Sequence, residues 1–207
     1  MDAINQQHST PDTAVRGMTL VELLVVLAIM GILGTALYNL FQTHNRQALI
    51  QEETALMQQE LLSAMVIMTD SIRMCGYSPN MSATTGLTGF RSPTNTTYLN
   101  CTRDMNGNGT IDTSDDEIIT FRFNAADAEI QTASAGAVSW QPFAINIGDL
   151  QFTYFDENGN VIADPNSNLD AIRMVEINAT AVPSANRAAM GIPNHTMSTR
   201  VLVRNLQ

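Results

Sequence analysis

Residues 18–41, "MTLVELLVVLAIMGILGTALYNLF", decide the fold. From Leu23 to Tyr38 the only non-apolar side chain is Thr35. The run is near the ~20 residues that a helix needs to cross ~30 Å of hydrocarbon. Gly31 and Gly34 lie inside it, and membrane helices tolerate such glycines better than soluble ones do. A buried helix of a soluble domain is the competing reading. An amphipathic helix would show a polar face, however, and this run is too continuously apolar for that. One residue breaks the pattern. Glu22 lies near the start, where a carboxylate at membrane depth costs ~2.5 kcal/mol or more on insertion scales and marks a functional position. The sequence predicts a membrane-spanning helix with one acid that needs a partner.

Outside this run the composition is ordinary. The 207 residues allow one modest domain plus an appendage. The formal net charge is -10, with 10 Lys+Arg against 20 Asp+Glu. That balance argues against nucleic-acid contact, because phosphate binding depends on clustered Lys and Arg. Residues 1–17 contain Asp2, Asp12 and Arg16, which is not the basic start of an ordinary secretory signal. The nearest small-x-small site is Gly34-Thr35-Ala36. A plain signal anchor accounts for the apolar length but leaves Glu22 unexplained.

The segment "GMTLVELLV", residues 17–25, resembles the type III signal of type IV prepilins and pseudopilins, usually G-F-T-L-x-E. The resemblance implies cleavage between Gly17 and Met18 by a prepilin peptidase, which also methylates the new amine. Glu22 is then the fifth mature residue, which pairs with the N-terminal amine of a neighbouring subunit. The physics agrees: a buried carboxylate is acceptable when an ammonium neutralises it, and an uncompensated one disfavours wrong registers. Met18 stands where Phe is usual, and the leader is poor in Lys and Arg.

Beyond Phe41 the chain turns polar but keeps a helical pattern, with no Gly before Gly76 and no Pro before Pro79. Met57, Leu61, Met65, Met68, Ile72 and Cys75 recur at steps of four and three, which is one helical face. Glu53, Gln58, Glu60, Asp70 and Arg73 are assigned to the opposite, polar face. A methionine stripe at this spacing is core filler rather than a cofactor box. Gly76 and Pro79 supply the stop. The exit, with Asp70, Arg73, Met74, Gly76 and Tyr77, resembles that of PilW-type minor pilins.

"DMNGNGTIDTSD", residues 104–115, has the spacing of an EF-hand-type calcium loop. Asp104, Asn106 and Asn108 take positions 1, 3 and 5, and Gly109 takes the sharp turn. Thr110 offers a backbone carbonyl, Asp112 stands at position 9 and Asp115 at position 12, with Asp116 and Glu117 following. Alternating oxygen ligands along a tight turn suit Ca²⁺. The flanks are not those of a helix-loop-helix sensor: "SPTNTTYLNCTR" upstream reads as loop and "EIITFRF" downstream as strand. A plain surface turn of the same composition is the alternative.

The remainder is β-rich. "EIITFRF", "LQFTYFD", "AIRMVEINATAV" and "TMSTRVLVRNL" read as strands, and "ENGN" as a hairpin turn between Phe155 and Val161. This predicts an antiparallel meander of four or five strands covering one helix face. The order of these segments again resembles the PilW-type domain, more loosely. "FDENGNVIAD" has Val161 rather than Gly at the turn position of a second calcium loop, so the hairpin turn is preferred. Trp140 and Tyr154 are expected to pack.

Cys75 and Cys101 sit in no CxxC pair and have no histidine cluster nearby, so zinc is not expected. In a periplasmic domain they are expected to form a disulfide worth ~3 kcal/mol; in the cytosol they would be buried thiols. His8, His44 and His195 have no evident catalytic company, and no phosphate-binding glycine loop occurs, so the chain is expected not to be an enzyme.

The expected fold is α+β and type IV pilin-like: a long N-terminal helix, transmembrane in its first half, packed on an antiparallel sheet. The expected divisions are a leader (1–17), the transmembrane half (18–41), the amphipathic half (42–77) and a β-rich domain (78–207). The resemblance implies a minor pilin that helps to initiate or build a type IV pilus, with adhesion, motility or DNA uptake downstream. Its partners would be prepilin peptidase, other major and minor pilins and inner-membrane lipid. A minor pseudopilin of a type II secretion system shares the signal, and a membrane-anchored calcium-binding module that never polymerises is the rival from another class.

Overall fold

One helix organises the chain. In the computed structural model, which describes residues 17–80, 88–113, 116–134 and 139–206, α1 runs unbroken over Leu20–Arg73. Among the described residues seven strands follow: β1 (Tyr98–Thr102), β2 (Ile118–Asn124), β3 (Glu129–Ser134), β4 (Gln141–Ala144), β5 (Ile147–Phe155), β6 (Met174–Ala181) and β7 (His195–Leu202). They form two antiparallel sheets, ordered β1-β2-β3-β4 and β5-β6-β7. The fold is α+β, with a long N-terminal apolar helix packed against antiparallel sheets, as the sequence predicts.

The chain divides into two compact units, residues 1–48 and 49–207. In the first, every described residue is exposed. Among the described helices, α1 is long and apolar enough to cross a membrane, and its most apolar window is wholly unburied. Thr35 donates its hydroxyl hydrogen to the carbonyls of Gly31 and Ile32, which satisfies the polar group within the apolar run. Helix continuity here rests on good helix formers, Leu, Ala and Met, with no proline.

In the second unit, the predicted face is the face that packs. Met57, Leu61, Met65, Met68, Ile72 and Cys75 are all buried, with Ala64 beside them. They share one core with Leu99, Phe121 and Ile130 of the first sheet and Leu150, Phe152, Val175, Ile177 and Val201 of the second. The contrast along the helix is sharp: Leu61 is 0% exposed and its neighbour Leu62 is 53% exposed. Tyr154 is buried as expected, and its hydroxyl donates to the carbonyl of Asn95 at 3.0 Å. Trp140 packs edge-on against Tyr98, with the Arg122 guanidinium 3.8 Å from its ring centre.

Four expectations change. In place of a meander of four or five strands, the described residues form seven strands in two sheets, with β1, β3 and β4 added to the strands the sequence predicts. The stretch read as loop before the calcium-like segment contains β1, which pairs Leu99 with Phe121 and Cys101 with Ile119. Its apolar positions are too few for a visible alternation, and the pairing with β2 supplies what the local pattern lacks. The turn at Asp156–Asn160 is present, but only a single bridge, Phe155 to Val161, follows it before the chain passes through short 3-10 turns to β6. Finally, α1 stops at Arg73 rather than reaching residue 77. Gly76, at φ +75°, turns the backbone away and donates its N–H to Thr102 of β1. Asn205 donates its side-chain amide to the carbonyls of Arg73 and Cys75, satisfying acceptors that the helix end leaves open.

Candidate functional site

At the N-terminal end, Gly17, Met18 and Thr19 precede the helix in non-helical conformation, and Glu22 stands in its first turn. Residues 1–16, the rest of the expected leader, lie outside the described residues. Thr19 and Glu22 form a capping box. Glu22 donates its backbone N–H to Thr19 Oγ1 at 3.2 Å. In return, Glu22 Oε2 accepts from the Thr19 backbone N–H at 2.8 Å and from its hydroxyl at 2.9 Å. The side chain otherwise stands exposed on the helix surface among Val21, Val25 and Val26. An added Cβ on Gly31 or Gly34 would meet nothing within 4 Å.

A second carboxylate lies further along α1. Glu53 is buried rather than on the polar face assigned to it from sequence. It stands one helical turn before Met57, so it continues the buried stripe. Glu53 Oε1 accepts from the Ser184 backbone N–H at 2.7 Å, and Oε2 lies 3.3 Å from Arg187 Nη1. Arg187 also reaches Glu52 at 3.5 Å and donates to the Leu49 carbonyl. The hydrogen bond from Ser184, with the Arg187 charge adding to it, holds the Glu53 carboxyl below its ordinary range. Glu60 makes a related contact, accepting from the Ile145 N–H at 3.2 Å.

Cys75 and Cys101 are joined by a disulfide, with Cα atoms 5.4 Å apart. The bond ties the end of α1 to β1. The calcium-like loop begins close by: Asp104 donates its N–H to the Tyr77 carbonyl, and Asn80 donates to the Gly107 carbonyl. Gly107 and Gly109, at φ +73° and +81°, supply the sharp turns.

Two buried acids organise this loop. Asp104 accepts from the Gly107 and Gly109 N–H groups at 2.7 and 3.1 Å and from the Ser78 hydroxyl at 3.0 Å. Glu117 accepts from the N–H groups of Met105, Asn106 and Asp112 at 2.9, 3.2 and 2.7 Å. Each is 0% exposed. Between them, the side-chain amides of Asn106 and Asn108 approach Asp112 Oδ2 to 3.5 and 2.6 Å. The Thr110 N–H and hydroxyl bond to Asn108 Oδ1, each at 2.8 Å. The loop is rich in side-chain oxygens, the ligand type that a hard cation takes, but Asn106 and Asn108 turn their amide nitrogens toward Asp112. Among the described residues no three His, Cys, Asp or Glu side chains gather closely enough to hold a metal. Asp115, the expected position 12, lies outside the described residues.

Sequence reasoning missed Glu53 and undervalued Glu117. The four-residue step back from Met57 was the available signal for Glu53. Glu117 could be suspected only from its place beside Ile118 at the start of β2, since its partners lie across a turn. The Asp156 turn, by contrast, closes on itself: Asp156 accepts from the Asn158 and Asn160 N–H groups at 2.9 and 2.8 Å. The side-chain bond from Asn160 is foremost in lowering the Asp156 pKa.

Residues 13–38 match the prokaryotic N-terminal methylation motif. No curated protein matches the chain. The motif, at the head of a long apolar helix that packs on antiparallel sheets, supports a type IV pilin-like protein, pilin or pseudopilin. Such a protein is a structural subunit rather than an enzyme. The motif implies processing by a prepilin peptidase and assembly with other pilins, and with the apolar helix it fits a membrane-anchored subunit.

Proposed function

We propose that the chain is a minor type IV pilin of the PilW type, which helps to initiate or build the filament. The observation that carries this reading is Glu22, an exposed carboxylate in the first turn of an apolar helix, at the fifth position after Gly17. Residues 1–17 would be the leader, 18–41 the membrane-spanning half of the helix, 42–77 its amphipathic half and exit, and 78–207 a periplasmic domain. Cleavage after Gly17 exposes the Met18 amine, and methylation leaves it a cation. In the inner membrane the chain waits as a single-pass protein. During assembly Glu22 pairs with the amine of an adjoining pilin, so that both charges leave the lipid neutralised. The Arg73-Met74-x-Gly76-Tyr77 exit favours a PilW-type pilin over a type II secretion pseudopilin.

The test is incorporation. Replacing Glu22→Ala should leave the protein in the membrane and remove it from sheared filaments. Recovery of the variant in filaments at the native level would overturn the reading. The accompanying gain or loss of piliation, as against type II secretion, separates the pilin from the pseudopilin.

We further propose that residues 104–115 hold a structural Ca²⁺ through Asp104, Asn106, Asn108, the Thr110 carbonyl, Asp112 and Asp115. The spacing of the oxygen-bearing side chains along residues 104–115 supports this. Calcium would offset the negative charge of the loop's carboxylates and brace the loop against the helix exit. Calcium should raise the melting temperature of the full chain in detergent, and Asp104→Ala should abolish the rise. An unchanged melting temperature in the parent protein would reject the site.

A further inference from the structure

We infer that Trp140, Arg122 and Tyr98 form a surface site for a carboxylate-bearing saccharide, on the face of the first sheet turned away from the core. The inference concerns the domain and goes beyond the pilin reading. Strand register places the site. Tyr98 of β1 stands opposite Arg122 of β2, Arg122 opposite Gln131 of β3, and Gln131 opposite Pro142 of β4. Cross-strand partners share a face, so one row runs across all four strands. Their chain neighbours Leu99, Phe121 and Ile130 point the other way and are 0% exposed in the core. Trp140, two residues before Pro142, reaches back over this row. Its ring centre lies 5.8 Å from that of Tyr98 and 3.8 Å from Arg122 Cζ.

Stacking on the indole uses the flat face of the guanidinium and leaves its N–H donors free in the plane. Arg122 Nε donates to Gln131 Oε1 at 2.8 Å, and the Gln131 amide in turn donates to Glu129. Gln131 is 7% exposed, so the group that holds Arg122 is itself held. Among the described residues no acceptor meets the terminal nitrogens of Arg122, the indole N–H of Trp140 or the Tyr98 hydroxyl hydrogen. Water serves such donors on any surface, and a loose arginine would need no further account. Here Trp140 fixes the guanidinium on its face and Gln131 fixes it at Nε, so the fork is ordered before a ligand arrives. A carboxylate takes that fork with two parallel bonds. The indole is half-buried, and its open part offers an apolar plane to the C–H face of a sugar ring. Glu129 supplies an acceptor for hydroxyl groups. The row holds one cation, Arg122, in a chain of net charge -10, whereas nucleic-acid binding depends on several clustered cations. One carboxylate beside one stacking plane is what a sugar acid brings.

The sequence contains 1 Trp, so intrinsic tryptophan fluorescence reads this site alone. The experiment titrates the full chain, in a polyoxyethylene detergent that carries no sugar, with trigalacturonate, its methyl ester and sodium acetate. Trigalacturonate should change the Trp140 emission and saturate. The ester keeps the sugar plane and loses the charge; it should bind about tenfold more weakly, the scale of one charge-assisted contact. Arg122→Gln should weaken trigalacturonate binding by about tenfold or more, and Arg122→Lys, which keeps the charge without the fork, should fall between. The ester comparison uses the parent protein, so it decides even where a variant fails to fold. No saturable change with trigalacturonate, or equal affinity for the acid and its ester, would overturn the proposal. Equal affinity for acetate would overturn it too, by reducing the site to a bare anion contact. Tighter binding of a single-stranded oligonucleotide would reject the saccharide in favour of nucleic acid. None of these results touches the pilin reading, which rests on Glu22.

Discussion

Glu22 and Glu53 are carboxylates on one helix, and the chain answers them differently. Glu53 is buried and receives the Ser184 N–H and the Arg187 guanidinium, both from the segment between β6 and β7. Glu22 is exposed, and among the described residues its only side-chain partner is Thr19, three positions away. The fold completes the first acid and leaves the second unfinished. The same division holds for the apolar side chains: Leu61 is covered by the domain, whereas Leu23, Leu27 and Ile32 are exposed among the described residues. One region is stable by its own contacts, and the other is built for an environment of lipid or other helices.

The largest expected effect separates the two acids. Glu22→Ala should reduce filament incorporation by about a hundredfold or more, as when one member of a buried ion pair is removed. It should leave the melting temperature of the domain unchanged. A loss of domain stability on Glu22→Ala would break the comparison at its root.

Next in size is the packing contrast. Leu61→Ala should destabilise the domain by ~2–5 kcal/mol through a cavity in the core. Leu62→Ala, on the uncovered side, should stay within ~0.5 kcal/mol in denaturant melts of the full chain. Equal losses at both positions would mean that Leu62 is covered in the isolated protein.

A smaller effect concerns pH. The Glu53 carboxyl is held down by the Ser184 hydrogen bond first and by Arg187 in addition. A lowered folded-state pKa contributes stability that is full above the unfolded carboxylate value, ~4.3, and drains as pH falls through the lower folded value. Acid titration should therefore weaken the parent more steeply below that value than it weakens Glu53→Gln. Parallel melting curves for the two proteins down to acid would show that the clamp carries no charge-linked stability.

The elements legible in the sequence were those with a strong local period. The buried stripe from Met57 to Cys75 could be counted at steps of three and four, and β2, β5, β6 and β7 alternate or run apolar over most of their length. β1, β3 and β4 are short or polar, with Asn100, Thr102, Thr120 and Gln131 buried in the first sheet by its pairing rather than by their own hydrophobicity. The disulfide was foreseeable as chemistry once the compartment was argued, and the structure forms it between the expected pair. The polar type of Glu53 suggests solvent, whereas its spacing puts it on the core face. Glu117 was harder still. Its role depends on three backbone N–H groups brought to it by turns at Gly107 and Gly109, which no linear spacing displays. Glu22 was legible because a lone acid in an apolar run has no bland explanation.

The most direct measurement is the mass of the N-terminal peptide of the mature protein, taken from a cell with an active prepilin peptidase. The account predicts a chain that begins at Met18 and carries one methyl group on its α-amine. A mature chain that retains Gly17 and the residues before it, or that begins after Ala36, would contradict it.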